Sequence, residues 1–373
     1  MDQCLRVAWF PGMDAIAKQS NFLFSPMSLR AALALLASGT HGATLRQLLA
    51  FLGSRDTHLL ATASARLLAD VASWPQLTFA AAIFADRTLR LTPEFASSAA
   101  SSAHRAVARS VDFRNRPAAA VAEANAFIER ATAGRLRGVL SEDAIGPTTR
   151  VVLANGLHFK AKWARRFYDT TARREFLRHD GRPVPVPFLS DPGMHYAESF
   201  DAPAPGPGVQ GPPAILQDGG RDGLAGLLRL AVTRQDFIMR CVPRREQVVS
   251  PCMVPKFKFS TRMDLASTLC RLGLTAPFDK DAADLSGMVS NMPPEGLYVS
   301  GVGQSCAVEV DEEGTEAAAA TYTACSPTYS PPENPPPPPM RFVADHPFMF
   351  AIVEYEKAEV LFLGHVMDPS QEN

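Results

Sequence analysis

Eight histidines, six cysteines and 38 acidic residues are available for chemistry in this 373-residue chain, and their spacing decides what they could do. A hydrolase needs a nucleophile beside a base, a metalloenzyme needs ligands at helical or hairpin spacing, and a phosphotransferase needs a glycine-rich cradle. No G-x-S-x-G, H-E-x-x-H, G-x-x-x-x-G-K-[ST] or C-x-x-C occurs. The histidines are dispersed. Their closest approach to a dyad, His179-Asp180, lies in a charged, turn-like stretch that suits a solvated surface pair. The cysteines lack the paired spacing of zinc or redox sites and read as reduced thiols. No catalytic residue, metal or cofactor is expected, and the chain does not read as an enzyme.

The stretch Glu312 to Met340 has a different chemical potential, as a substrate. It is poor in large apolar side chains, cannot nucleate a core and belongs on the surface, within reach of a partner. Thr315, Ala317, Ala319 and Thr321 fall on one face at strand period and are all small, while Glu316 points the other way. Such a strip could enter a sheet between two strands without a steric block. Gly314, just before it, supplies the backbone freedom of a hinge.

Asp311-Glu312-Glu313-Gly314-Thr315-Glu316-Ala317-Ala318-Ala319-Ala320-Thr321 resembles the hinge of the serpins, above all the plant members. Asn21 to Ser28, Leu153 to Trp163, Phe342 to Phe350 and Phe362 to Val366 resemble further segments of that family in the expected order. The resemblance implies a mixed α+β chain with three β-sheets, about eight or nine helices and an exposed reactive-centre loop. It also implies one interlocked domain over 1–373, although length alone leans towards two. The implied function is inhibition of a serine or cysteine endopeptidase by a suicide-substrate mechanism. The protease acylates itself on the loop, and the freed hinge inserts as a new central strand, trapping the acyl-enzyme.

The resemblance places the cut about 14 residues beyond the hinge glycine, a strand of roughly 46 Å at 3.3 Å per residue. From Gly314 this lands on the bond between Thr328 and Tyr329. No Lys or Arg occurs from Glu316 to Met340, so a trypsin-like target is not expected. Thr328 suits an elastase-like pocket and Tyr329 a chymotrypsin-like one. Pro335 to Pro339 should form an extended spacer. The resemblance further assigns Ser25, Ser28, Asn155 and Gln304 to the region that must part for insertion, with Gln304 standing where relatives often carry histidine. It puts Trp163 at the top of the main sheet, where the hinge enters; a packed core tryptophan is the alternative.

With 46% hydrophobic and 20% charged residues, wholesale disorder is excluded. A net charge of −1 offers no electrostatic reason to expect nucleic acid or an acidic membrane as partner. No apolar run reaches spanning or signal-peptide length, so a soluble, cytoplasmic monomer is expected.

The positioning elements follow from periodicity. Ser25 caps a helix with Pro26 at its first position and Leu29, Ala32, Leu33 and Leu36 on its stripe, ending near Gly39. A second helix carries Leu45, Leu48, Leu49 and Leu52 and stops at Gly53. Strands are expected over Leu77 to Ala85, Arg150 to Phe159, Cys252 to Phe259 and Leu297 to Val310. A helix from Pro117, with Val121, Ala124, Phe127, Ile128 and Ala131 on its stripe and Gly134 at its exit, should lie across the main sheet. His346 to Tyr355 and Val360 to Asp368 read as a hairpin.

Two stretches depart from the family pattern. Pro11-Gly12 should interrupt the first helix, and Ala202 to Gly220 is too rich in proline for the central strands expected there. Together with Gln304 these departures favour a second reading, a serpin-fold protein that does not inhibit, or a decayed copy.

Overall fold

The computed structural model describes residues 3–160, 163, 167, 173–197, 214–216, 223–312 and 338–372. These form fourteen strands. In chain order the first seven are β1 (Phe22–Phe24), β2 (Leu77–Asp86), β3 (Val107–Val111), β4 (Val151–Lys160), β5 (Arg173–Leu177), β6 (Pro183–Ser190) and β7 (Gly193–Tyr196). The rest are β8 (Ala214–Leu216), β9 (Glu246–Pro255), β10 (Phe257–Asp264), β11 (Val299–Val310), β12 (Met340–Val343), β13 (Phe348–Glu354) and β14 (Glu359–Val366). Among the described residues they make three sheets, ordered β10-β11-β4-β2-β3, β1-β14-β13-β8 and β12-β9-β6-β5, with β7 on β9. The mixed fold is the one the sequence implied.

Helix Pro26–Ala37 is the hub. Ser25 accepts a hydrogen bond from the Ser28 amide, Pro26 occupies the first turn, and all its residues but Arg30 are buried. It lies between the five-stranded sheet and the β13/β14 hairpin, so it needs apolar or small side chains all round. Helix Gly42–Leu52 ends, as its sequence predicts, at Gly53 with φ +65°.

The opposite face of the large sheet carries helix Pro117–Ala131, whose Val121, Ala124 and Ile128 pack with Phe84, Val152 and Ala154. Ala131, expected on that stripe, is exposed, because the helix stops there. Thr132 turns the chain by accepting from the Leu136 amide at 3.1 Å, and residues 136–145 then run back over the sheet.

Three expectations need correction. Pro11 and Gly12 lie inside helix Trp9–Ala17. Pro11 falls in its first turn, where an amide hydrogen is dispensable, and the break sits earlier, separating off Gln3–Arg6. Gly12 is a contact residue: a Cβ there would stand 2.8 Å from Leu228 Cδ2. Cys252 to Phe259 is not one strand but the junction of β9 and β10, which part at Lys256 and join different sheets. Within Ala202 to Gly220, expected to be irregular, Ala214–Leu216 pairs with β13 as β8. These three residues contain no proline and take an edge position, where ladder requirements are weakest.

Of the five described cysteines outside disulfides, Cys4, Cys252 and Cys306 are buried. Burial pushes the Cys252 thiol up to about 11, which keeps it protonated and inert.

Candidate strand-insertion site

β4 and β11 run parallel and are paired from Val151↔Val299 to Lys160↔Glu309, so the sheet is closed along the whole seam. Such a parallel pair joins strands distant in sequence, because parallel neighbours need a long crossover connection. The chain leaves the top of β11 at Val310 and enters the Asp311–Glu312 segment. The hinge residues Glu313, Gly314, Thr315, Glu316, Ala317, Ala318, Ala319, Ala320 and Thr321, and the Thr328–Tyr329 bond, lie outside the described residues.

At mid-height the seam is locked from below by the residues assigned to it from the sequence. Gln304 of β11 faces Asn155 of β4 in register, and both are fully buried together with Ser25 and Ser28. The Gln304 amide nitrogen lies 3.0 Å from Ser25 O, 3.0 Å from Ser28 Oγ and 3.1 Å from Asn155 Oδ1. Its carbonyl accepts from the Ser25 amide at 3.2 Å. Ser28 Oγ donates to Asn155 Oδ1 at 2.5 Å, and Asn155 Nδ2 donates to Gly303 O at 3.2 Å. Glutamine suits the position because it both donates and accepts, so one side chain ties β11 to the helix and to β4 with no charge buried.

An ion-pair cluster that sequence reasoning missed closes the top of the seam. Lys160 at the end of β4 reaches Glu309 and Asp311, each at 3.1 Å, while Lys258 reaches Glu309 at 2.9 Å and Lys256 reaches Glu312 at 2.5 Å. Burial alone would raise the Glu309 carboxyl, but hydrogen bonds from Lys258 and Lys160 hold it below the ordinary carboxylate range. Trp163, just beyond the end of β4, is partly buried against the hydrophobic cluster beneath the hairpin, and its indole N–H donates to Asp311 O at 2.7 Å. It stacks edge-on against Phe167 at 4.9 Å. The signals in the sequence were the alternation of Lys256 and Lys258 and the acidic run Glu309-Val310-Asp311-Glu312; in the structure Lys258 faces Glu309 in register.

The outer face of the seam lies beneath residues 136–145. Gly156 and Gly303 allow the close approach: a Cβ on Gly156 would meet Leu136 Cδ1 at 2.4 Å, and one on Gly303 would meet Leu140 Cδ2 at 2.8 Å. Asn125 pins this segment to the helix, accepting from the Leu140 amide at 2.8 Å and donating to its carbonyl at 3.0 Å. Lower down, a cavity of about 510 Å³ opens between residues 138–145 and the sheet, with Val152 of β4 and Gly301 and Gly303 of β11 in its lining.

His158, also on β4, is buried with no hydrogen-bond partner for Nδ1 among the described residues. Desolvation, assisted by Arg135, pushes it down to about 4. It is therefore a neutral core histidine at ordinary pH. Among the described residues no cluster of three or more His, Cys, Asp or Glu side chains could hold a metal, and no helix is long and apolar enough to cross a membrane.

Comparison with known proteins follows the same outline. A family model described as Serpin (serine protease inhibitor) matches residues 8–203 and 231–369. The interval between its two matches covers most of the Pro/Gly-rich stretch singled out in the sequence. "Putative non-inhibitory serpin-10" of Oryza sativa subsp. japonica is 60% identical, with all of both chains covered. "Putative non-inhibitory serpin-Z11" of the same plant is 48% identical over the full length of both. Serpin-Z1B of Triticum aestivum is 36% identical over 98% of this chain and 94% of its own. The solved structure described as Arabidopsis AtSerpin1 in its native stressed conformation superimposes with a TM-score of 0.80 at 29% identity, covering all of both chains.

Proposed function

The chain belongs to the serpin family, and from that premise we propose that it inhibits a serine-type endopeptidase of non-basic specificity by strand insertion into the β4/β11 seam. The observation that carries this reading is the closed parallel pairing of β4 with β11, with the small-residue hinge beginning three residues beyond Glu312's carboxylate anchor.

In this reading the protease's serine oxygen attacks the carbonyl of Thr328, the amine of Tyr329 leaves, and an ester joins the two proteins. Release of the loop frees the hinge to separate Lys160 from Glu309 and Asp311, part Gln304 from Asn155, and displace Leu136 and Leu140 from the outer face. The new strand gains two ladders of main-chain hydrogen bonds. The attached protease is carried away from the pole where it bound, and its distorted site fails to hydrolyse the ester.

A second reading, a serpin-fold protein that does not inhibit, is favoured by the two rice relatives at 60% and 48% identity, which are named putative non-inhibitory serpins. The test is incubation with elastase-like and chymotrypsin-like proteases, followed by denaturing electrophoresis. A denaturant-stable adduct supports inhibition. Complete cleavage of the loop with no adduct overturns it in favour of the second reading.

A further inference from the structure

We infer that the cavity between residues 138–145 and the lower part of the large sheet binds a small apolar amine, whose carbon body fills the void and whose ammonium group meets a free carboxylate oxygen of Asp264. The site belongs to the closed sheet and does not depend on strand insertion.

Its floor holds a glycine that packing does not explain. Gly303 must be small, because Leu140 Cδ2 and the Val139 carbonyl would stand 2.8 and 2.9 Å from an added Cβ. Gly301, two residues earlier on β11, meets no such wall. A Cβ there would find Asp264 Oδ2 at 3.5 Å and Val152 Cγ1 at 3.9 Å, ordinary contact distances, and its φ is not positive. Glycine inside a strand gives up side-chain packing, and where no neighbour forces it, it marks the close approach of something else. The space over Gly301 is the cavity of about 510 Å³, a size that holds small organic molecules.

The walls decide the class of ligand. Val139, Leu140 and Ile145 of the covering segment and Val152 of β4 supply an apolar interior. β10 is the outer strand of the sheet, and its exposed Arg262 and Asp264 flank the opening. These two are not equivalent. Arg262 already donates Nη1 to the Gly138 carbonyl at 3.3 Å. Asp264 Oδ1 accepts from the Ala266 and Val302 amides at 2.9 and 3.3 Å, which fixes the carboxylate. Its Oδ2 makes no hydrogen bond among the described residues and stands beside the space over Gly301. Glu142 of the covering segment adds a second negative charge to the lining. With the acceptor free and the donor engaged, the ligand must bring the donor, and a protonated amine supplies both the hydrogen and the charge. Val152 and Gly301 are partners across the β4/β11 seam, so parting the strands takes the site apart. The amine therefore binds the closed sheet and stabilises it by linkage.

The test titrates the full chain with phenethylamine by calorimetry and follows thermal midpoint and amide exchange. The matched probe is 3-phenylpropionate, which has a similar body and the opposite charge. Asp264→Asn keeps an acceptor for the Ala266 and Val302 amides but removes the charge, and Gly301→Leu fills the void from its floor. The expected result is saturable millimolar binding of phenethylamine, with a raised midpoint and slower amide exchange at 138–145. Binding should be weaker by roughly tenfold or more in Asp264→Asn and lost in Gly301→Leu. No saturable binding of phenethylamine, or equal binding of 3-phenylpropionate, overturns the inference. So does saturable binding that leaves exchange at 138–145 unchanged, a readout on the parental chain that holds even where a variant fails to fold.

Discussion

Gln304 on β11 and Asn155 on β4 meet 3.1 Å apart across the seam that the hinge strand would have to enter, and neither side chain is exposed. The pair therefore makes a latch: it couples the two strands to each other and, through Ser25 and Ser28, to helix Pro26–Ala37.

Gln304→Ala removes both sides of that latch and takes from the buried Ser25 amide its Gln304 acceptor, while Asn155 keeps Ser28 Oγ and Gly303 O and the Ser25 carbonyl keeps the Leu29 amide. The expected loss is about 1–3 kcal/mol in the stability of the intact protein, the scale for unsatisfied buried polar groups. A denaturant melt of the uncleaved variant checks this. An unchanged midpoint would mean that the network is dispensable.

Asn125→Ala releases both main-chain bonds to Leu140 without touching the sheet. The expected outcome is a modest loss of about 1–2 kcal/mol with faster amide exchange concentrated at 138–145. Uniform exchange across the large sheet would show instead that the segment and the sheet open as one unit.

Lys160→Ala takes away the cation shared by Glu309 and Asp311 at the mouth of the seam. Because the pair is partly exposed, the stability cost should stay at about 1 kcal/mol or less. Spontaneous opening at the top of β11, read by amide exchange at residues 307–311, should rise more than the global melt falls. Equal changes would deny it a local role.

His158 and His365 are both pushed down to about 4 by burial, His365 while its Nε2 sits 3.2 Å from Ser20 O. The folded state excludes protons that the unfolded chain binds from about pH 6.5 downward. Stability is thus fully present above about pH 6.5 and declines as pH falls towards 4, by on the order of 2–3 kcal/mol per histidine. His158→Phe should flatten this slope between pH 6.5 and 4.5 while leaving the neutral-pH midpoint nearly unchanged. A variant with the parental slope would assign the dependence elsewhere.

Local rules read the hub correctly from the chain alone. Ser25-Pro26 and the stripe beginning at Leu29 specify a capped helix, and Gly53 specifies a stop, because capping and left-handed termini depend on a few adjacent residues. The runs at Leu77, Val151 and Val299 likewise declare buried strands by their own composition. Pro11 misled because a proline's effect depends on where the helix begins, and Leu228, 216 residues away, helps decide why Gly12 must be small. Nothing adjacent to Lys256 announces that β9 and β10 diverge into different sheets there. The same holds for Asn125 with Leu140 and for Lys160 with Glu309 and Asp311, whose partners are brought together only by packing a helix and a distant strand onto β4. Sequence determined which residues could form a small-residue strip and the helix beneath it. Tertiary structure decided that β4 and β11 close on each other, because strand pairing is a long-range choice that no local pattern contains.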